Sequence, residues 1–247
     1  MSDLEFAVVS SRRQIDEARK ELLAEGLVDE LPQHLLARIK RRLRLASAAT
    51  ALVPDPIKSW DVRRALEAIR LRCSPEDWVL DMGSVGSAIP PALHRLGYVR
   101  VHGIDLDPQV TRMAHADAVR YCVGDMTATS YEDGCFASIT AISVIEHGFQ
   151  PEALLREVAR LLAPDGFFFF STDYWPTKID TNDTRLFGMT WSIFSAEEIE
   201  RFLSDARAVG LEPTSGSLTA LRAVDGRPIS YEGFEYTFLS GGLIRLP

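Results

Sequence analysis

The chain of 247 residues contains no apolar run approaching the ~20 residues that a membrane-spanning helix requires. Its opening stretch, MSDLEFAVVSSRRQ, carries an acid at Asp3, lacks a basic leading cluster and is too briefly apolar for a secretory signal. Cysteine is scarce. Cys73, Cys122 and Cys135 are odd in number and are not spaced as a metal knuckle, so reduced thiols in a cytoplasmic protein are expected. Internal repeats and low-complexity segments are also missing. There is no basic excess either: the net charge is −8, and all of the acidic surplus lies after residue 75, because residues 1–75 are net basic. An acidic C-terminal part repels phosphates, which argues against a nucleic-acid partner and for a small molecule.

What the chain does have is alternation. Helical periodicity covers about residues 11–26, 31–52 and 59–72. In the second of these, Leu31, Leu35, Ile39, Leu43 and Ala46 form an apolar stripe interleaved with Arg38, Lys40, Arg41, Arg42 and Arg44. That basic set is either a solvated helix face or a contact for a phosphate-bearing partner or a membrane surface. From Trp78 onward, strand-like segments at 78–82, 99–105, 119–123, 137–144 and 166–172 alternate with helical ones near 88–97, 108–117, 151–163 and 195–209. Phe167-Phe168-Phe169-Phe170 is apolar on both faces, as a central parallel strand covered by helices would be. The pattern predicts an α/β doubly wound, mostly parallel sheet over residues 76–247, behind a helical N-terminal extension or lid over 1–75. Strand-like segments near 218–224 and 234–244 suggest an antiparallel finish.

Two strand ends carry the chemistry. Trp78–Met82 contains Asp81 and runs into the small-residue turn Gly83-Ser84-Val85-Gly86-Ser87, and Val101-His102-Gly103-Ile104 ends in Asp105. This is the layout of a nucleoside site, in which glycines permit close backbone approach and the second carboxylate accepts ribose hydroxyls. Asp81 either orients the loop and a ligand amino group or caps the turn. Asp125, in Val123-Gly124-Asp125-Met126, either accepts from an exocyclic adenine amine, with the Met126 N–H serving a ring nitrogen, or marks a surface turn.

Glu146 and His147 leave the fourth strand. His147, titrating near neutrality, is the candidate catalytic base, and the rival reading is an anchor for the next helix. Asp173, Tyr174 and Trp175 open a long segment to Phe194 that includes Trp191. It is either an acceptor wall, with Tyr174, Trp175 and Trp191 as stacking surfaces, or a rigid crossover packed by its aromatics. Lys58 and Trp60 precede the first strand as candidate lid residues. The Gly83-Ser84-Val85-Gly86 spacing departs from the dinucleotide fingerprint, which leaves a nucleotide-dependent oxidoreductase as a third reading.

In order along residues 78–170, five segments carry a family resemblance. Val79–Ser84, Gly103-Ile104-Asp105, Gly124-Asp125-Met126, Asp133–Ile139 with Ser143–His147, and Leu155–Gly166 resemble the motifs of a class I S-adenosylmethionine-dependent methyltransferase of the type 11 group. The resemblance implies a seven-stranded Rossmann-like sheet and S-adenosylmethionine as cofactor. It carries cofactor contacts onto Asp81, Gly83, Ser84 and Gly86, onto Asp105 and Leu106, onto Asp125 and Met126, and onto Ser143. The chain departs from the family at Val85, where a third glycine is usual, and at Ser87. No metal is expected, because Ser143 stands where the acid-histidine set of some relatives has a further acid. The implied activity is methyl transfer, at oxygen, to a small molecule or a glycan or lipid precursor. The alternative is a non-catalytic module of this fold that works through a partner. The helical extension also offers a surface for a homodimer.

Overall fold

The four consecutive phenylalanines set the layers of the molecule. A computed structural model of the protein describes residues 4–30, 53–148, 150–214 and 219–247. Strand residues alternate between faces, and the phenylalanines obey that rule. Phe168 and Phe170 pack with Leu154, Leu155, Val158, Ile199 and Phe202, whereas Phe167 and Phe169 pack with Leu22, Val62, Leu66, Ile89 and Leu93. None of the four is more than 1% exposed. Helices cover both faces of the sheet, as a parallel sheet of this kind demands.

The strands are β1 (Ala7–Val8), β2 (Val79–Met82), β3 (Val101–Asp105), β4 (Arg120–Val123), β5 (Phe136–Ile142), β6 (Leu162–Tyr174), β7 (Arg185–Leu186), β8 (Met189–Thr190), β9 (Leu211–Pro213), β10 (Ile229–Tyr231) and β11 (Phe234–Arg245). The helices are α1 (Arg12–Ala24), α2 (Ser59–Arg72), α3 (Ile89–Arg95), α4 (Pro151–Leu161), α5 (Ala196–Ala208) and α6 (Thr219–Arg222). The main sheet runs β1-β11-β6-β5-β2-β3-β4, with β9 and β10 also paired to β11. The pairs β2–β3, β3–β4, β2–β5 and β5–β6 are parallel. β11 pairs antiparallel with β6, Thr237 opposite Tyr174 through Ile244 opposite Phe167. The expected seven-stranded mixed sheet is therefore present as β4-β3-β2-β5-β6-β11-β9, and the short β1 and β10 extend it.

Strand order reverses between β2 and β5, which makes their carboxyl ends the topological switch point where ligands of such sheets bind. Helix α2, from the N-terminal extension, shares its buried side chains with β2, β3 and α3.

Three local expectations change. The helix foreseen over 108–117 is a short 3₁₀ turn, Pro108–Arg112, capped by the Asp107 carboxylate on the Gln109 N–H at 2.9 Å. It stops because Met113 is extended and His115 adopts a φ of +60°. The strand foreseen near 218–224 is the helix α6, whose Ala, Leu and Arg are good helix formers; β9 and β10 supply the antiparallel finish instead. The segment foreseen as irregular between Trp175 and Phe194 holds the β7–β8 ribbon, with Ile179 and Ile193 bridged. The helix foreseen over 31–52, with its basic set, lies outside the described residues. Among the described residues, no helix is long and apolar enough to cross a membrane.

Candidate active site

The first half of the candidate site is built where β2, β3 and β4 end. The turn after β2 is pinned to β3, since the N–H groups of Gly83 and Ser84 both donate to the Ile104 carbonyl, at 2.9 and 3.2 Å. Gly83 has a φ of +72°, and a Cβ there would stand 2.4 Å from Val144 Cγ2, so this position demands glycine twice over. Gly86, at φ +75°, donates its N–H to Met113 Sδ at 3.4 Å. Val85, the departure from the family pattern, is not among the residues of positive φ, so its side chain brings no backbone strain.

Asp81 and Asp105 serve this turn differently. Asp81 is buried, with its carboxylate accepting from Thr140 Oγ1 at 2.6 Å and Ser84 Oγ at 2.8 Å. Burial pushes it up to about 6 against those hydrogen bonds. It orients the loop from beneath. Asp105 stands partly exposed at the tip of β3 and accepts from the Val85 and Asp107 N–H groups, each at 2.9 Å. Leu106 beside it is 63% exposed. Asp125 follows β4, where the Thr127 N–H and hydroxyl both donate to its Oδ1, at 2.8 and 2.7 Å. Met126 packs partly against the core.

The second half lies beyond β5 and β6 and is roofed by the N-terminal extension. Ser143 takes a φ of +55° and donates its N–H to the Ser171 carbonyl and hydroxyl, both at 3.1 Å. Lys58, at the start of α2, donates to the Ser143 hydroxyl and lies 3.5 Å from Asp173 Oδ1 and 3.6 Å from the centroid of the Phe238 ring. Asp173 Oδ2 accepts from Trp191 Nε1 at 2.8 Å. Asp61, Glu146 and Asp173 are all buried, yet among the described residues both oxygens of Asp61, Oε2 of Glu146 and, its ion pair with Lys58 apart, Oδ1 of Asp173 accept no hydrogen bond of good geometry. Buried polar atoms without partners are uncommon and call for a physical explanation.

Burial sets the protonation here. It raises Asp61 to about 7, and together with the Asp173 charge raises Glu146 to about 8. Burial also opposes the charge on Lys58, but attraction from Asp173, Glu146, Asp61 and Asp55 prevails and holds its pKa above the ordinary lysine value. The Tyr236 phenol is raised by burial, then by the charges of Asp173 and Glu146.

Three expectations are corrected. His147 does not titrate near neutrality: burial holds it down at about 4, so it is neutral at pH 7, with Nδ1 buried and unpartnered. Tyr174 offers no stacking face, because it is fully buried in the core and its hydroxyl donates to the Leu221 carbonyl at 3.0 Å. Trp175 is partly buried, with the Arg227 guanidinium 4.0 Å from its ring centroid. Trp191 offers no stacking face either: it is 2% exposed, its ring is packed by Tyr231, Phe234 and Tyr236, and its Nε1 donates to Asp173. Sequence reasoning missed Asp61 and Tyr236. The available signal for Asp61 was an acid on the stripe it shares with Ala65, Ala68 and Ile69 along α2, all of them buried.

Comparison with known proteins bears on the matched segment and on the fold. Residues 80–170 match the family model of a methyltransferase domain, type 11. The ubiquinone biosynthesis O-methyltransferase of Xanthomonas oryzae pv. oryzae (strain PXO99A) is 36% identical over 101 residues, which cover 38% of this chain and 42% of that protein. Its counterpart from Xanthomonas axonopodis pv. citri (strain 306) is 34% identical over 115 residues, or 43% of this chain and 48% of that protein. The chain thus spans less than half the length of these curated relatives. A geranyl diphosphate methyltransferase solved with S-adenosylmethionine superposes with a TM-score of 0.57 at 18% identity, covering 98% of each chain. The geranyl diphosphate C-methyltransferase of Streptomyces coelicolor A3(2) gives 0.52 at 17% identity, over 96% of this chain and 100% of that one. These two likenesses show the fold. Residues 80–170 are thus similar to the type 11 methyltransferase domain, and the chain has the fold of the solved class I methyltransferases.

Proposed function

We propose that the chain binds S-adenosylmethionine at the carboxyl ends of β2, β3 and β4 and methylates an oxygen of a small molecule or a glycan or lipid precursor held over β5 and β6. The observation that carries this reading is the Asp105 carboxylate. Two backbone N–H groups fix it at the tip of β3 while it stays partly open to solvent, which suits it to accept from a ribose diol. Leu106 supplies exposed apolar surface beside it for a flat base, and Asp125 Oδ2 takes no protein donor among the described residues, which suits an adenine amine. Gly83, Ser84 and Gly86 bring backbone close to the ligand, Asp81 holds their loop, Met126 offers its N–H, and Ser143 stands at the border of the acceptor half.

When bound, S-adenosylmethionine supplies a methyl group on a positively charged sulfur, already activated for in-line displacement. What remains for the protein is alignment, exclusion of water and removal of a proton. Lys58 and Asp61, brought by the N-terminal extension, close the acceptor half, and this is the sense in which residues 1–75 act as a lid. Trp191 and the neutral His147 wall it. The Xanthomonas relatives are ubiquinone biosynthesis O-methyltransferases, which supports oxygen as the acceptor atom. A cytoplasmic enzyme acting on small acceptors, with a second copy of the chain as a possible partner through the extension, completes the proposal.

Calorimetric titration with S-adenosylhomocysteine, for the wild type and for Asp105→Ala, tests it. Micromolar binding lost in the variant is the expected outcome. A folded wild-type protein that takes up no S-adenosylhomocysteine overturns it.

A further inference from the structure

The turn that carries Glu146 touches the turn proposed to hold the cofactor. Val144 fills the space over Gly83, so closely that a Cβ at Gly83 would lie 2.4 Å from its Cγ2. Residues 143–147 therefore flank the switch-point crevice between β2 and β5, on the side facing away from Asp105. Into this place the chain brings three buried carboxylates, Asp61 from α2, Glu146 from the β5 exit and Asp173 from β6, none more than 4% exposed.

Their positive partner is Lys58, which is spoken for by Ser143 and Asp173. Arg64 lies one turn along α2 from Asp61, but its guanidinium donates to the Ser240 carbonyl at 3.0 Å, to the Ser240 hydroxyl and to the Glu5 carbonyl. Among the described residues the other groups facing Glu146 are Asp173, the Ser143 hydroxyl, His147 and the Tyr236 phenol, and none of these adds a positive charge at neutral pH. Among the described residues, four carboxylate oxygens accept no hydrogen bond of good geometry. Asp173 Oδ1 has the Lys58 ammonium 3.5 Å away, and the Ser171, Ser143 and Tyr236 hydroxyls lie near Asp61, Glu146 and Asp173 respectively. A buried acid in that position is stable only when protonated or when a cation lies against it. The cluster is short of positive charge, and a proton or a ligand must supply it.

We propose that Glu146 is a charge-gated proton acceptor, which gives up its proton when a sulfonium is bound in the β2–β5 crevice and, as the carboxylate so formed, takes the proton of the acceptor hydroxyl during methyl transfer. The proposal rests on the reading of this chain as an S-adenosylmethionine-binding protein. The exchange balances: the acceptor O–H bond breaks, an O–C bond forms, the S–C bond breaks with its electron pair going to sulfur, and the liberated proton passes to the Glu146 carboxylate. The product thioether is neutral, so the cluster ends with its proton restored and nothing to bind the product by charge. Without a cation, the burial and neighbouring charge that hold Glu146 at about 8 keep it protonated at pH 7. Gating thus confines the base to the loaded site. It also explains how a chain with a neutral, weakly basic His147 provides one.

Proton release on binding tests this without knowledge of the acceptor. S-adenosylmethionine and S-adenosylhomocysteine are titrated calorimetrically at pH 7 in phosphate and in Tris, whose protonation enthalpies differ, against the wild type and Glu146→Gln. The expected result is a release of up to about one proton per site with S-adenosylmethionine and distinctly less with S-adenosylhomocysteine. The difference should vanish in Glu146→Gln, whose retained binding of S-adenosylhomocysteine shows that it is folded. In the wild type, the affinity for S-adenosylmethionine relative to S-adenosylhomocysteine should climb by up to about tenfold per pH unit until Glu146 is ionised, near pH 8. Equal proton release by the two ligands, or a difference that survives Glu146→Gln, overturns the proposal while leaving the cofactor reading intact. Binding of neither ligand overturns both.

Discussion

The two halves of the carboxyl edge are built on opposite principles. Beyond β2, β3 and β4, the working groups sit on short turns, Asp105 and Asp125 partly or well exposed, and their hydrogen bonds come from nearby backbone. Beyond β5 and β6 the groups are buried charges drawn from distant parts of the chain, Lys58 and Asp61 before the first sheet residue of the core and Asp173 more than a hundred residues later. The first half is assembled from the strand ends themselves and, Asp81 apart, is open to solvent; the second is long-range and dry. Removing a group from the first should therefore weaken ligand binding more than folding, and removing one from the second should do the reverse.

The largest effect tests that contrast directly. Asp173→Ala leaves the Lys58 ammonium and the Trp191 N–H without their partner, and breaking a buried pair from one side destabilises by about 3 kcal/mol or more. Asp105→Ala removes a capping acceptor from two N–H groups, worth about 1 kcal/mol of stability. Chemical denaturation midpoints of the two variants measure the difference. Equal losses would erase the distinction between the halves.

Gly83 sits where the halves meet and comes next in size. Gly83→Ala imposes a side chain at φ +72° and drives it into Val144, for an expected loss of about 1–3 kcal/mol. Val144→Ala in the same chain should recover the steric share, and the remaining deficit of about 1 kcal/mol is the backbone's own. Thermal unfolding of the single and double variants separates the two. Full recovery would mean that glycine is needed for space alone.

What could be read from the sequence follows the same division. Asp81, Asp105 and Asp125 are contiguous with the strands that carry them, so an apolar run and its terminal acid place them at once. Phe167–Phe170 announced a two-faced strand for the same local reason. Asp61 shows only as an acid on an apolar stripe, because the carboxylates it faces are brought to it by tertiary packing. His147 misled for a related reason. Its neutral titration is a property of the free side chain, and the burial that lowers it to about 4 is invisible until the ribbon after β6 is folded over it. Tyr174 misled because the strand expected to end at residue 172 runs on to it, and α6 covers it there.

Acid in the dry half should also give the fold a characteristic pH dependence. Asp61 and Glu146 have folded pKa values raised to about 7 and about 8, so the unfolded chain holds fewer protons than the folded one through this range. Their contribution to stability is complete below the ordinary carboxylate range, near pH 4, and is lost as pH rises through those values, by at most about 1.4 kcal/mol per pH unit for each group. Asp61→Asn should flatten the part of the stability profile ending near pH 7, and Glu146→Gln the part ending near pH 8. A wild-type stability that rises between pH 5 and 8 would show that other groups govern this range.

The smallest expected effect concerns the tip of the β7–β8 ribbon. Phe187 is 82% exposed and holds a φ of +55° ahead of Gly188 at +79°, a turn in which asparagine or glycine is at ease and phenylalanine is not. Its ring stands edge-on to His147 at 5.3 Å between centroids, so a strained, solvent-facing aromatic stands at the outer wall of the half beyond β5 and β6. Phe187→Asn should stabilise the chain slightly, by less than about 1 kcal/mol, through relief of that conformation. It should leave the affinity for S-adenosylhomocysteine unchanged, since the ribbon makes no bond to the turns after β2, β3 or β4. A rise in melting temperature with unaltered binding would show that the strained aromatic plays no part in the half beyond β2, β3 and β4. A loss of S-adenosylhomocysteine affinity would mean that the ribbon serves both halves and that the line between them has been drawn too sharply.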